Sequence, residues 1–178
     1  MTKYEIMATE LMREHIMLCN AIRFATEMHE GQVRKYTGEA YITHPIAVAD
    51  KVEEYMDDDD FTDEEIMTAM IIAVLHDTVE DTNATHEDIL ERFGEEVAAG
   101  VWYLTKTESF VGNRETRKKL CEARLELAPW LIRLIKTCDM HHNSTSIEEH
   151  DPKFWVTFQD ETKSLLAVMG MTSIYKDL

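Results

Sequence analysis

The sequence predicts an all-α fold in which a chain of 178 residues forms a single helical bundle. Apolar residues recur at helical spacing in several segments, and alternation with a period of two residues, which is typical of strands, is scarce. Pro45, Pro129 and Pro152 all lie where a helix can begin, so no proline interrupts a helix. Because no repeat, low-complexity tract or linker divides the chain, we expect one domain over residues 1–178.

The first predicted helix is long and amphipathic and spans residues 1–28. Gly31 and Gly38 bracket a loop, and Pro45 begins the next helix, where its missing N–H costs nothing. The acidic run at residues 57–60 lacks the spaced ligands and the glycine of a calcium loop. We therefore interpret this run as a solvated connection between two helices.

Capping signals locate the later helices. Thr62 and Glu65 form a capping box that opens a helix ending near residue 77. Residues 85–88 form a second start signal, and Gly94 ends that helix. Further helices are predicted to begin near residues 113, 129 and 152.

The helix that begins near Thr62 ends in an apolar run, residues 69–75, and then in a group of ionisable side chains. A run that is apolar all round is typical of a helix buried in the middle of a domain. His76, Asp77, Glu80 and Asp81 follow this run within six residues. Since buried charges persist when they are paired, hydrogen-bonded or bound to a metal, we expect partners for this group from elsewhere in the chain.

Two further segments supply candidate partners. His44 precedes Pro45, and a residue before proline is pushed out of helical geometry, which suits a helix cap whose side chain turns inward. Asp139 lies late in an apolar helix, and Asn143 projects from the same side of that helix four residues later.

Together, His44, His76, Asp77 and Asp139 make a mixed nitrogen and oxygen site without sulfur. Such a site fits Mn²⁺, Fe²⁺ or Zn²⁺ better than a structural thiolate zinc. Four protein ligands on an octahedral ion leave positions for water and for a substrate oxygen, so the pattern indicates metal-assisted chemistry at a phosphoryl group. Each residue alone has a plainer interpretation, as a hydrogen-bonded or exposed histidine or as an aspartate in a cap or ion pair.

The composition limits the partners and the compartment. The formal net charge of −17 argues against a nucleic acid or an anionic membrane surface as partner. No apolar run reaches the length of a membrane span, no signal segment begins the chain, and three cysteines far apart favour a reducing cytoplasm. Residues 101–140 carry eight Lys or Arg and five Asp or Glu, a local charge of +3, which suits a small anionic ligand such as a nucleotide or else a solvated helix face.

In these segments the sequence resembles the HD-domain metal phosphohydrolases, and among them the hydrolase domain of RelA/SpoT-type proteins and the small alarmone hydrolases. His44, His76, Asp77 and Asp139 stand in the order and approximate spacing of that family. The resemblance covers roughly residues 23–146. The matching segments begin with a basic pair, a Gly-Glu turn and an aromatic-rich His-Pro motif at residues 34–45, followed by His-Asp-x-x-Glu-Asp-Thr at 76–82. The later segments are Thr-x-x-Asp-Ile at 85–89, Phe-Gly at 93–94, Leu-Thr-Lys at 104–106 and Ile-Lys-x-x-Asp-x-x-x-Asn at 135–143.

The resemblance implies a single HD-domain helical bundle and a manganese-dependent hydrolase that removes pyrophosphate from the 3′ position of ppGpp or pppGpp. It implies that the two imidazoles and two aspartates named above hold the metal, and that Glu80 and Asp81 orient and deprotonate the attacking water. Carried over by position, the substrate contacts are Arg34 and Lys35 for the guanine and phosphates, Asn143 and Ser146 for the ribose or 3′ phosphate, and Lys106, Arg114, Arg117 and Lys118 for the outer phosphates. A solvated helix is the alternative for the last three.

Four positions depart from the usual pattern of the family. Met140 and His141 stand where it has a basic residue and then leucine, and Ser144 and Thr145 stand where an arginine commonly follows. These changes spare the implied metal ligands but remove positive charge near the substrate. Another nucleotide phosphate ester or NADPH is therefore an alternative substrate. A non-catalytic nucleotide-binding module is the third hypothesis, and the water-activating carboxylate pair argues against it. We expect no bifunctional enzyme, because 178 residues leave no room for a synthetase domain.

Overall fold

The protein is a bundle of α-helices, and the computed structural model describes residues 2–56, 60–106 and 111–178. Within these residues, β-type pairing is limited to one isolated bridge between Val33 and Ala40, so the all-α prediction is confirmed. The helices are α1 Lys3–Met28, α2 Thr43–Met56, α3 Asp63–Leu75, α4 Thr78–Asp81, α5 His86–Phe93, α6 Glu95–Leu104, α7 Arg114–Glu126, α8 Trp130–His150, α9 Pro152–Met169 and α10 Ile174–Asp177.

The central helix is α3, which packs against α1, α2, α6 and α8. Its last seven residues, 69–75, are all buried, as the apolar run predicted. A helix that is apolar all round is stable where neighbours cover each of its faces. Gly100 lets α6 approach closely, since an added Cβ there would lie 2.6 Å from Cδ1 of Ile72 in α3.

Side-chain caps begin two helices where the sequence indicated them. Thr62 and Thr85 accept hydrogen bonds from the backbone N–H groups of Glu65 and Asp88, and the carboxylates of those two residues accept from the N–H groups of the threonines. Each capping box satisfies two N–H groups that a helix start leaves unpaired. Pro152 lies in the first turn of α9, also as predicted.

The start of α2 differs from the prediction. This helix begins at Thr43, so His44 lies inside its first turn and is not the cap expected in front of it. A proline in the first turn needs no intrahelical partner for its missing N–H, which allows the helix to begin two residues before Pro45. The His44 side chain is nevertheless buried, as expected for one that turns inward.

The helix that was predicted to end near residue 77 ends at Leu75. The chain turns at His76 and Asp77 and then begins the short helix α4, so Glu80 and Asp81 do not lie on a continuation of α3. The hydroxyl of Thr78 donates a hydrogen bond to the carbonyl of Leu75 at 2.6 Å. This side-chain hydrogen bond competes with the backbone hydrogen bonds that would continue α3.

Three helices meet at the place where the ionisable residues gather. The first turn of α2, the end of α3 and the middle of α8 converge, because α2 packs on both α3 and α8 and α3 also contacts α8. Residues 57–59 of the acidic run, like residues 107–110, lie outside the described part of the chain. In the parts that are described, no helix has both the length and the apolar character to cross a membrane.

Candidate metal centre and substrate cleft

Two histidines and two aspartates face one another where α2, α3 and α8 converge. Nε2 of His44 lies 3.1 Å from Oδ1 of Asp139 and 3.6 Å from Oδ2 of Asp77. Nε2 of His76 lies 3.0 Å from Oδ2 of Asp77 and 3.7 Å from Oδ1 of Asp139. The structure thus brings together all four residues for which the sequence suggested a shared metal.

Three of these four residues, His44, His76 and Asp139, fit a shared divalent cation. The ligand atoms of His44, His76 and Asp139 all lie within 4.8 Å of one another. Donors bound to one ion at about 2.1 Å and at right angles are about 3.0 Å apart, close to the shorter nitrogen–oxygen distances between these side chains. Nε2 of His76 is buried and has no hydrogen-bond partner, although a carboxylate oxygen of Asp77 lies nearby. A coordinated cation would satisfy that nitrogen.

Nδ1, the ring nitrogen that does not face the carboxylates, has a contact of its own in both His76 and His44. Nδ1 of His76 lies 2.7 Å from the carbonyl oxygen of Ala73, one turn earlier in α3. Nδ1 of His44 lies 2.8 Å from Nδ1 of His142, which α8 supplies. In both rings Nε2 is therefore the atom presented to the carboxylates.

The aspartates are held by neighbours as well. Lys136 donates to Oδ2 of Asp139 at 2.6 Å, and the side-chain amide of Asn143 donates to Oδ1 at 2.7 Å. The Tyr41 hydroxyl lies 2.7 Å from Oδ2 of Asp77. Each carboxylate consequently has a fixed orientation before any cation is bound.

The charges of this cluster depend on one another. Burial opposes ionisation of Asp139, yet Lys136, His44 and His76 hold its pKa well below the usual range. Burial also opposes a charged His76, but Asp77 and Asp139 raise its pKa to about 10. The pKa of His44 is lowered, mainly by burial. Since the two rings are 5.3 Å apart, the second proton is disfavoured once His76 is charged.

The pKa of His142 is lowered to about 4. Burial is the largest cause, and the nearby His44 and Arg34 side chains lower the pKa further. His142 is accordingly neutral at pH 7. A neutral imidazole has one N–H donor and one acceptor nitrogen, so it can accept a hydrogen bond from His44.

Glu80 and Asp81, the candidate general bases, lie on α4 beside the donor set. The Lys106 ammonium group forms an ion pair with Oε1 of Glu80, and the Lys106 backbone N–H donates to Oε2 at 3.1 Å. Although burial would lower the pKa of Lys106, the Glu80 carboxylate raises it. Oδ2 of Asp81 lies 3.0 Å from the Tyr41 hydroxyl, so Tyr41 joins Asp81 to Asp77.

A cavity of about 650 Å³ opens from the metal donors toward α7 and α9. Its inner wall includes Asp77, Glu80, Asp81, Lys106 and Asp139. Its outer walls carry cationic side chains on α7 and aromatic side chains on α9, namely Arg114, Arg117, Lys118, Phe154 and Phe158. This volume and this mixture of apolar and polar walls are typical of small-molecule sites.

A second cavity of about 200 Å³ adjoins the first and shares Arg34, Tyr41, Asn143 and Ile147 with it. Its lining includes four of the predicted substrate contacts, Arg34, Lys35, Asn143 and Ser146. Arg34 donates to Oδ1 of Asn143 at 2.7 Å, and the Asn143 amide in turn contacts Asp139. This short chain of hydrogen bonds connects the second cavity to the metal donors.

The predicted cations of α7 border the large cavity but already have partners. Nζ of Lys118 lies 3.4 Å and Nη2 of Arg114 lies 3.6 Å from Oε1 of Glu161 on α9. Arg117 donates to the carbonyl of Gly112 at 2.8 Å. The Arg114 side chain is 84% exposed, so part of this helix is solvated while it also faces the cavity.

Sequence reasoning assigned no role to Tyr41, Lys136 and His142, although all three contact the proposed ligands. For two of them, the spacing from Asp139 in the sequence could have indicated a contact. Lys136 and His142 lie three residues before and after Asp139, so all three occupy neighbouring positions on α8. Tyr41 had no comparable signal, because its contact with Asp77 joins residues 36 positions apart.

The chain is similar to known proteins over most of its length. The guanosine-3′,5′-bis(diphosphate) 3′-pyrophosphohydrolase of Aquifex aeolicus is 39% identical over 161 residues, which is 89% of this chain and 20% of that relative. The Danio rerio guanosine-3′,5′-bis(diphosphate) 3′-pyrophosphohydrolase MESH1 is 33% identical over 143 residues, which is 78% of this chain and 73% of that relative. The chain thus spans about a fifth of the length of the first curated bacterial relatives that it matches.

The fold has a solved counterpart. A metazoan ortholog of SpoT that hydrolyzes ppGpp superposes with a TM-score of 0.73 at 25% identity, over 86% of this chain and 85% of that one. A family model described as "HD domain" matches residues 21–169, which include all four metal-ligand candidates. By this match and by its similarity to the Danio rerio protein, the chain belongs to the HD domain family.

Proposed function

We propose that this protein hydrolyses the 3′-pyrophosphate of ppGpp and pppGpp, giving pyrophosphate and GDP or GTP. One observation carries the proposal: a single cavity of about 650 Å³ is lined by Asp77 and Asp139 of the metal donors, by the carboxylates of Glu80 and Asp81, and by cationic side chains. The names of the Aquifex aeolicus and Danio rerio relatives and of the metazoan SpoT ortholog support the same reaction.

We propose that His44, His76, Asp77 and Asp139 hold a divalent cation. Mn²⁺ is the proposed ion, with Fe²⁺ and Zn²⁺ as alternatives, since the donors are nitrogen and oxygen without sulfur. When bound, the cation would supply Lewis acidity that offsets charge on the phosphoryl oxygens.

The proposed chemical step requires a proton acceptor near the phosphoryl group. Water adds to the phosphorus that is bonded to the ribose 3′ oxygen, and that phosphorus–oxygen bond breaks. The Glu80 carboxylate accepts the proton of the water, Asp81 orients the water, and the leaving 3′ oxygen takes up a proton from solvent while Glu80 returns its own to solvent. The fixed orientation of Glu80 by Lys106 supports this role, because general bases must be held within hydrogen-bond reach of the proton that they remove.

The proposed substrate contacts lie along the two adjoining cavities. Arg34 and Lys35 bind the guanine and its phosphates, and Asn143 and Ser146 bind the ribose or the 3′ phosphate. All four residues line the cavity of about 200 Å³, and Arg34 and Asn143 also line the larger cavity, which supports one continuous substrate site. Lys106, with the cations of α7, binds the outer phosphates in the larger cavity.

The departures from the family pattern bear on substrate choice. Met140 lines the large cavity and is buried, so an apolar side chain faces the substrate there. The Ser144 hydroxyl donates to the carbonyl of His141 at 2.6 Å within α8. Neither position supplies a cation, so recognition of the outer phosphates in our proposal depends on Lys106 and α7.

We further propose that residues 1–178 work as one HD hydrolase domain in the cytoplasm, with a small nucleotide as ligand and no nucleic acid. The free thiols of Cys19, Cys121 and Cys138 support a reducing compartment. The net charge of −17 disfavours a polyanionic partner.

The test is turnover of a nucleotide panel by the purified protein with and without Mn²⁺. Separation of products by anion exchange should show ppGpp converted to GDP and pyrophosphate only when Mn²⁺ is present. The panel includes pppGpp, other nucleotide phosphate esters and NADPH, so that a different substrate is recognised directly. Intact ppGpp after incubation with protein that demonstrably binds Mn²⁺ would refute the proposal, and binding without turnover of any compound would indicate a nucleotide-binding module.

A further inference from the structure

His142 contacts the proposed metal ligand His44 from the side that faces away from the carboxylates. The two Nδ1 atoms are 2.8 Å apart, and the ring centroids are 4.9 Å apart. Nε2 of His44 lies instead 3.1 Å from Oδ1 of Asp139. The two nitrogens of His44 thus have different partners, an imidazole and a carboxylate.

A hydrogen bond between two Nδ1 atoms contains one proton, and the atom that carries it decides whether His44 can bind a cation. With the proton on His142, neutral His44 carries its own hydrogen on Nε2 and donates it to Asp139. With the proton on His44 Nδ1, Nε2 has a free lone pair. The second tautomer is the one that can ligate a metal through Nε2.

We propose that His142 is a positioning residue for metal binding, which accepts the Nδ1–H of His44 and so directs the Nε2 lone pair of His44 toward the cation. This inference rests on the metal site of the proposed function. The same arrangement holds for His76, whose Nδ1 lies 2.7 Å from the Ala73 carbonyl, a group that only accepts. Partners of this kind fix the tautomer and the ring orientation of metal-binding histidines.

The positions of His76 and His44 in their helices explain why the hydrogen-bond acceptor of His44 comes from another helix. His76 follows the last turn of α3, where the carbonyl of Ala73 is one turn behind it. His44 lies in the first turn of α2, so no helical turn precedes it. The acceptor for His44 therefore comes from α8, where His142 lies three residues after Asp139 and shares its side of the helix.

Equilibrium dialysis of Mn²⁺ against the purified protein tests the inference without measuring turnover. We expect His142→Ala and His142→Phe to bind Mn²⁺ roughly 10- to 100-fold more weakly, because neither can accept the hydrogen bond. His142→Asn should recover most of the affinity, since its amide oxygen is an acceptor at a similar position. His141→Ala is the matched control, because this neighbouring ring packs against Tyr175 and should leave the affinity unchanged.

Each outcome is decisive. Wild-type affinity in the Ala and Phe variants overturns the inference, and so does an Asn variant as weak as the Phe variant, because the acceptor would then be irrelevant. If His142→Ala does not fold, as thermal unfolding of the metal-free protein will show, the Asn and Phe pair carries the test. A wild-type protein that binds neither Mn²⁺, Fe²⁺ nor Zn²⁺ also overturns it. Protein that binds Mn²⁺ but leaves ppGpp intact contradicts the proposed function and not this inference.

Discussion

Lys106 holds both carboxylate oxygens of Glu80. Its ammonium group pairs with Oε1, and its backbone N–H donates to Oε2 at 3.1 Å. The contact joins residues that are 26 positions apart, one on α4 and one just beyond the end of α6. It therefore holds these two elements together beside the metal donors. Because a substrate phosphate is also an acceptor for the ammonium group, Lys106 links the orientation of Glu80 to substrate binding.

Removal of the Lys106 ammonium group should slow turnover. We expect Lys106→Met to lower kcat on ppGpp by roughly 10- to 100-fold, because a small misplacement of a reacting group costs up to about two orders of magnitude. Lys106→Arg should retain most of the rate, since the charge is kept. Steady-state kinetics measure both. Lys119→Met is the control, because Lys119 pairs with Glu115 at 2.7 Å within α7 and does not line the large cavity.

Substitution of the proposed base should separate catalysis from metal binding. We expect Glu80→Gln to lower kcat by about 10² to 10⁴, the usual contribution of a general base, because an amide cannot accept the proton of water. Its affinity for Mn²⁺, measured by dialysis, should equal that of the wild type. Glu122→Gln, a change of the same kind in the same cavity, should leave kcat unchanged. Full activity of Glu80→Gln would show that another group, with Asp81 the nearest in sequence, is the base.

Local patterns in the sequence predicted most of the fold. The capping box at Thr62, the helix start at residues 85–88 and the buried run of residues 69–75 were all found as expected, because they depend on contacts within one or two helical turns. The end of the helix that contains residues 69–75 was expected near residue 77, but the separate short helix α4 after it was not predicted. Its hydrogen bond from the Thr78 hydroxyl leaves no distinctive sequence pattern, since threonine also occurs inside helices.

The sequence predicted which residues form the candidate metal site. It did not predict the contacts that hold those residues in place. The four metal-ligand candidates were proposed from their residue types and from resemblance to a family, and the structure places Nε2 of each histidine 3.0 to 3.7 Å from an oxygen of each aspartate. The partner of His44 is His142, 98 positions away along the chain. Contacts of such separation arise from tertiary packing and leave no periodic signal in a single sequence. The spacing of three residues from Asp139 placed His142 on the correct side of α8 without revealing its partner.

The ion pair of Lys136 with Asp139 leads to a stability prediction. Asp139→Ala removes the carboxylate that Lys136 contacts at 2.6 Å and leaves a largely buried ammonium group without its anion. We expect the metal-free variant to lose roughly 3 kcal/mol of unfolding free energy in urea denaturation, the usual order for a broken buried pair.

A second substitution tests the cause of that loss. Lys136→Met in the Asp139→Ala background should recover most of the stability, because the unpaired ammonium group is then removed, while Mn²⁺ binding stays absent. Equal stability of the single and double variants would show that lost packing, and not the unpaired ammonium group, causes the effect.

The raised pKa of His76 predicts a pH dependence of stability in the metal-free protein. Burial favours the neutral ring, but Asp77 and Asp139 raise the pKa from 6.5 to about 10. The folded state therefore holds this proton more tightly than the unfolded state. The resulting stabilisation is complete below pH 6.5 and is lost as the pH rises through about 10.

We expect the unfolding free energy of wild type relative to His76→Gln, both with EDTA, to decrease steadily between pH 6.5 and pH 10. Urea denaturation at several pH values in this range measures the difference, and the comparison cancels other groups that titrate alike in both proteins. Wild type saturated with Mn²⁺ should lack this decrease, because a coordinated Nε2 has no proton to lose. A difference that stays constant over the range would mean that Nε2 of His76 carries no proton in the metal-free protein, and the short distance to Asp77 would then reflect packing alone.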